Sequence, residues 1–198
     1  MGRRSDHTRA ELEALIIDAG QAHMGEAGFA KFSAREVAKR VGYSIGTIYN
    51  VFGSHDGLVL AINGRTLDHW ADMMEQQLEQ AGGNRLHALV RSYFRFARRN
   101  THIWMALYDH RLPPGETAPE WYSAKRQRLF AIIEAELRAA LGGSSAQAAD
   151  LARLLYAAVH GLCTLTLNGT LAAIGAADGE AMAIGLVDEQ LAARRSGS

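Results

Sequence analysis

Ser44, Thr47, Tyr49 and Asn50 put three hydroxyls and a carboxamide within seven residues, with no acid among them. Such groups supply the donors and acceptors that phosphates and base edges require. Asn50 has the amide geometry to pair bidentately with adenine, and Gly46 leaves room for a thymine methyl or a backbone to come close. Ile45, Gly46, Tyr49 and Asn50 are therefore candidates for base edges, and the Thr47 and Tyr49 hydroxyls for phosphates. Ser33, at the expected start of the preceding helix, adds an anion-facing position. For Tyr49 the competing role is that of a half-buried packing residue.

Two short helices and a tight turn must hold these groups. Ser33 is an N-cap with Glu36 three residues on, a capping box that starts a helix. Val37, Ala38 and Val41 form its apolar face, and Gly42 ends it by tolerating a left-handed backbone. Ser44 then caps a second helix whose inward residues are Ile48 and Phe52. Upstream, Thr8 and Glu11 form another capping box, and Leu12, Leu15, Ile16 and Ala19 recur at helical spacing. Gly25 and Gly28 are expected to close that first helix.

The segment from Gly42 to Leu58, GYSIGTIYNVFGSHDGL, resembles the DNA-binding signature of the TetR family of one-component transcriptional regulators. The resemblance implies an all-α homodimer. Residues 1–53 would be a three-helix helix-turn-helix DNA-binding domain, and residues 54–198 a helical ligand-binding and dimerisation domain. It further implies a repressor on a palindromic double-stranded operator, released by a small-molecule effector. Where the family usually carries Lys, this chain has His55. The phosphate contact that Lys commonly makes is then weaker, pH-dependent or absent. A shorter segment, Tyr156 to Leu162, resembles the His-Gly element of one subgroup and names no ligand.

Global composition is neutral on partners: 21 Lys and Arg balance 21 Asp and Glu. Locally, Lys31, Arg35, Lys39 and Arg40 face only Glu36 between Ala30 and Gly53, a net of +3, and Arg3, Arg4 and Arg9 extend it. DNA affinity depends heavily on such phosphate neutralisation. The single Cys163 excludes an intramolecular disulfide. The charged, polar N-terminus does not read as a signal peptide, and the uncharged run Leu154 to Leu167 is too short to span a membrane. A cytoplasmic protein without a membrane partner is expected.

No stretch alternates with period two, so no sheet is expected. Helices are expected at about 54–80, 85–100, 103–110, 121–141, 146–171 and 179–194, with Ser144 and Gln147 capping the fifth. Gly57 and Gly64 read as weak points of the first. Arg91, Arg95, Arg98 and Arg99 form one face of the second, read as a solvated face rather than a second nucleic-acid surface. The helix at 146–171 is too apolar for a monomer surface, and with the final helix at 179–194 it is the expected dimer interface. Trp70, Phe94, Trp104, Tyr108, Trp121, Phe130 and His160 are candidates to line an effector cavity, against the plainer reading of core packing. His160 could equally bond a backbone carbonyl or touch a partner chain.

The eight His are scattered without metal-ligand spacing, and neither a phosphate-cradling loop nor a nucleophile elbow is present. No metal, cofactor or catalytic residue is expected. The competing function is a helical small-molecule binding protein with a vestigial DNA-binding motif, and an α-helical enzyme is a remote third.

Overall fold

The computed structural model describes residues 7–142, 145–176 and 178–196. Its elements are α1 (Arg9–Ala27), a 3-10 turn (Phe29–Lys31), α2 (Ala34–Val41), α3 (Ile45–Phe52), α4 (His55–Glu79), α5 (Arg85–Arg99), α6 (Thr101–Asp109), α7 (Glu120–Leu141), α8 (Ser145–Leu167), α9 (Thr170–Ala173) and α10 (Gly179–Ser196). No strand occurs among the described residues, in line with the all-α expectation. Arg3, Arg4 and the Ser144 cap lie outside the described residues.

The chain forms two compact units. One takes in residues up to Asp68 together with Asn100–Tyr122, the other His69–Arg99 together with residues from Ser123 onward. Helix α4 contributes residues to both.

In the first unit, α1 opens on the complete Thr8–Glu11 capping box. It runs through Gly25 and stops only at Gly28, because one internal glycine costs a helix only about 1 kcal/mol. The Gly25 carbonyl also accepts a hydrogen bond from His102 Nδ1 at 2.7 Å, which ties α6 to α1. Ile16, Ile17, Val37, Ala38, Ile48, Leu58 and Ile62 make the core, drawn from α1 to α4. Asn63 Nδ2 donates to the Ala106 carbonyl at 3.1 Å, and His110 Nε2 lies 2.9 Å from Asp56 Oδ1.

In the second unit, α5, α8 and α10 pack on one another. The expected helix over 146–171 is two helices. Gly169 takes a left-handed φ of 78°, and Asn168 Oδ1 accepts from the Thr170 N–H at 3.0 Å, which ends α8 and starts α9. Arg85 forks onto Glu136 at 2.7 and 2.8 Å, joining α5 to α7.

Candidate nucleic-acid interface

Helix α2 starts at Ser33, whose Oγ accepts from the Glu36 N–H at 3.4 Å. The returning half of the expected capping box is not the Glu36 carboxylate. The Ser33 N–H donates instead to Nε2 of the buried His23, at 3.2 Å, and Glu36 sits 3.9 Å from Lys39. His23 thereby pins the start of α2 to α1. The signal for it was present in sequence, since Ile16, Gly20 and His23 fall on one helical stripe.

Gly42 ends α2 at φ 75° and ψ 25°, and the Tyr43 N–H reaches back to the Ala38 carbonyl at 3.0 Å. This is a Schellman-type stop, and α3 begins three residues beyond Gly42. Ser44 caps α3: its Oγ accepts from the Thr47 N–H at 3.1 Å and lies 3.0 Å from the Thr47 hydroxyl. Ile48 is fully buried and Phe52 half-buried, as expected. Gly46, Tyr49 and Asn50 face solvent, with Tyr49 39% exposed rather than packed away. Thr47 is half-buried, and so is Ile45 among the base-edge candidates. Ile45 packs against the core of the unit, because the first residue after the cap shares a face with Ile48.

The α3–α4 junction depends on Gly57. A Cβ there would overlap the Phe52 carbonyl oxygen, and the Gly57 N–H donates to the Ser54 Oγ at 2.9 Å. The glycine that reads as a weak point of α4 is thus what lets α4 follow α3 so tightly. His55, the first residue of α4, is half-buried with its ring edge-on to Phe32 at 5.8 Å.

The local charge is smaller than the sequence window suggests. Arg40 forks onto Glu26 of α1 at 2.6 and 3.0 Å, which raises the affinity of that guanidinium for its proton. With Glu26 counted beside Glu36, the four cations leave a net of +2. Lys31 and Arg35 have no ion-pair partner among the described residues. Together these features present a short, rigidly capped helix with polar groups outward and unpaired cations nearby. That arrangement suits hydrogen bonding to a groove edge and its phosphates.

The seven residues proposed for an effector cavity fall in both units. In the first, Trp104 is fully buried with Tyr108 against it, and Trp121 is 45% exposed beside Tyr122. In the second, Trp70, Phe94, Phe130 and His160 belong to one aromatic cluster. Trp70 stacks on Phe96 at 5.2 Å and meets Tyr93 edge-on at 5.0 Å. The Tyr93 hydroxyl lies 2.8 Å from His160 Nδ1, and Tyr156 bridges His160 and Phe130. Phe94 meets Tyr93 at 6.4 Å. Tyr93 and Tyr156 are the linking members, and their α5 and α8 stripes alone did not single them out. Burial holds the His160 imidazole below its usual proton affinity. Burial also pushes the Cys163 thiol up to about 12, so it is inert as a nucleophile. Among the described residues no cluster of three or more His, Cys, Asp or Glu could hold a metal, and no helix is long and apolar enough to cross a membrane.

Comparison with known proteins matches both parts of the chain. The family described as bacterial regulatory proteins, tetR family, matches residues 16–62, which contain α2, α3 and the turn between them. The family described as tetracyclin repressor-like, C-terminal domain, matches residues 86–189. No curated protein matches the chain. Among solved structures, a protein of unknown function from Rhodococcus sp. RHA1 is similar at TM-score 0.75 and 19% identity, over 98% of each chain. A transcriptional regulator from the same source is similar at TM-score 0.64 and 25% identity, over 93% of this chain and 96% of that one. The regulator FadR from Bacillus subtilis, solved with stearoyl-CoA, is similar at TM-score 0.63 and 15% identity, over 91% and 98%. With its helix-turn-helix and its C-terminal part each matched, the chain belongs to the TetR family of DNA-binding transcriptional regulators.

Proposed function

We propose that this protein is a homodimeric, cytoplasmic repressor. It reads an imperfect palindrome through α3 and leaves it when a small-molecule effector binds residues 54–198. The observation that carries the reading is the exposed face of Gly46, Tyr49 and Asn50 on a helix capped at both ends. Tyr49 and Asn50 meet base edges, with Gly46 giving close approach. The Ser33, Ser44, Thr47 and Tyr49 hydroxyls and His55 serve the phosphates. Ser44 and Thr47 already engage each other, so their share is to fix the helix start on the backbone.

Dimerisation is supported by two apolar stripes in the second unit. On α8, Leu154 (51% exposed), Ala157, Gly161 and Leu165 (36%) follow one another on one face. On α10, Met182 (46%) and Gly185 do the same. Apart from chain neighbours and the backbone of its own helix, neither glycine has an atom within 4 Å of where its Cβ would stand, which leaves room for a second backbone. A two-fold dimer then carries two α3 helices to half-sites about 34–36 Å apart.

The aromatic cluster of Trp70, Tyr93, Phe130, Tyr156 and His160 supports an effector site in the second unit, with apolar walls and one polar pair. Helix α4 passes from that unit to the one bearing α3, so it is the carrier of the signal. An effector releases DNA only if it binds the DNA-competent and DNA-incompetent shapes unequally. No catalytic step is assigned.

A mobility-shift titration with DNA flanking the protein's own gene tests the reading. Salt-sensitive binding to a palindromic fragment, two chains per site, is expected. Equal affinity for that fragment and for random duplex would favour a helical binding protein with a vestigial motif.

A further inference from the structure

The second unit contains a concavity of about 580 Å³ that the aromatic cluster does not share. One wall is α5, whose Arg91, Arg95, Arg98 and Arg99 stand at i, i+4, i+7 and i+8 and so line one face. The end of α4 contributes Gln77, and the start of α10 contributes Glu180. The four guanidiniums and one carboxylate carry a net charge of +3.

Two of the guanidiniums are held in place. Arg98 donates to Glu180 at 2.9 Å with its guanidinium over the Phe94 ring, and Arg95 donates to the side-chain amide oxygen Oε1 of Gln77. Arg91 and Arg99 are exposed and have no hydrogen bond or ion pair among the described residues. Like charges one helical turn apart destabilise a helix by a few tenths of a kcal/mol per pair, and on this face the Glu180 carboxylate offsets only the charge of Arg98. Other arginines of this unit, such as Arg85 and Arg128, are matched by carboxylates.

We propose that this concavity is a binding site for a small molecule carrying a diphosphate or two phosphate groups. Its volume lies within the range of small-molecule sites. Free guanidinium forks match phosphate oxygens bidentately, and a single carboxylate would neutralise only one of the three net charges. A DNA duplex fits less well, since the Glu180 carboxylate on the wall repels a continuous phosphate row. The site is separate from α3 and does not depend on how α3 recognises DNA.

The test is calorimetric titration of the full chain with inorganic pyrophosphate at low salt, alongside R91A/R99A and R99K. Saturable binding at one site per chain is expected, roughly tenfold weaker in the double variant. R99K keeps the charge but loses the fork, and falls between the two. Both positions are exposed and unpaired, so thermal midpoint, dimer and operator affinity should stay at wild-type values. Absence of saturable binding, or equal affinity in wild type and R91A/R99A, overturns the proposal. So does random duplex binding that vanishes in R91A/R99A, which would make the face a nucleic-acid surface. Dissociation of the dimer in R91A/R99A would make it a subunit interface, with the same consequence.

Discussion

Helices α3 and α8 each bury one face and expose another, and the exposed faces differ in kind. Helix α3 shows Gly46, Tyr49 and Asn50, while α8 shows Leu154, Ala157, Gly161 and Leu165. The first face keeps its donors hydrated until a polar partner replaces the water. The second gains only by losing water to another apolar surface. An added charge should therefore have opposite consequences in the two places.

The largest effect is expected where charge meets the apolar stripe. Leu165→Glu should cost several kcal/mol of association if the stripe is dry in the dimer, while the single chain still folds because Leu165 is already 36% exposed. Sedimentation should then show folded monomer. A dimer persisting at micromolar concentration would place the interface elsewhere.

Gly57→Ala sharpens the other side of the comparison, since it forces the α3–α4 junction apart at the Phe52 carbonyl. Tight backbone contacts do not relax cheaply, so a loss of about 2 kcal/mol or more is expected in denaturant unfolding. Operator binding should fall further than stability does. Wild-type values of both would mean that the junction is looser than described.

His160 offers a pH test of the second unit. Burial lowers its proton affinity in the folded chain, so the unfolded chain protonates first as pH falls. The contribution is fully present above about pH 6.5 and is lost as pH falls through the lower folded value. His160→Gln keeps an acceptor for Tyr93 and should flatten the decline of thermal midpoint below that pH. Parallel curves for the two proteins would remove His160 from the account.

The smallest effect is a charge added beside α3. His55→Lys should tighten operator binding and steepen its salt dependence by up to about one unit of slope. An unchanged slope would mean that residue 55, held against the Phe32 ring, does not reach the backbone.

The helix-turn-helix was legible in sequence because its determinants are local. Ser33, Gly42 and Ser44 each act within five residues, and each sits where its type requires. The aromatic candidates were legible as types but not as an arrangement. Tyr93 and His160 are 67 positions apart, and no helical spacing joins two helices. The same holds for His23 under Ser33, where a contact ten residues away displaced the expected Glu36 partner. The packing role of Gly57 was not legible for a different reason: propensity speaks of a helix alone, and the constraint came from the preceding helix's last carbonyl.

The central claim is that α3 reads the operator through its exposed face. Operator affinity of the Tyr49→Ala protein, measured at fixed salt beside the wild type, tests it most directly. Tyr49 is exposed and holds no part of the core, so the variant should fold and dimerise normally while losing roughly 1–3 kcal/mol of binding. Unchanged operator affinity in a folded, dimeric Tyr49→Ala protein would contradict the assignment of α3 as the recognition helix.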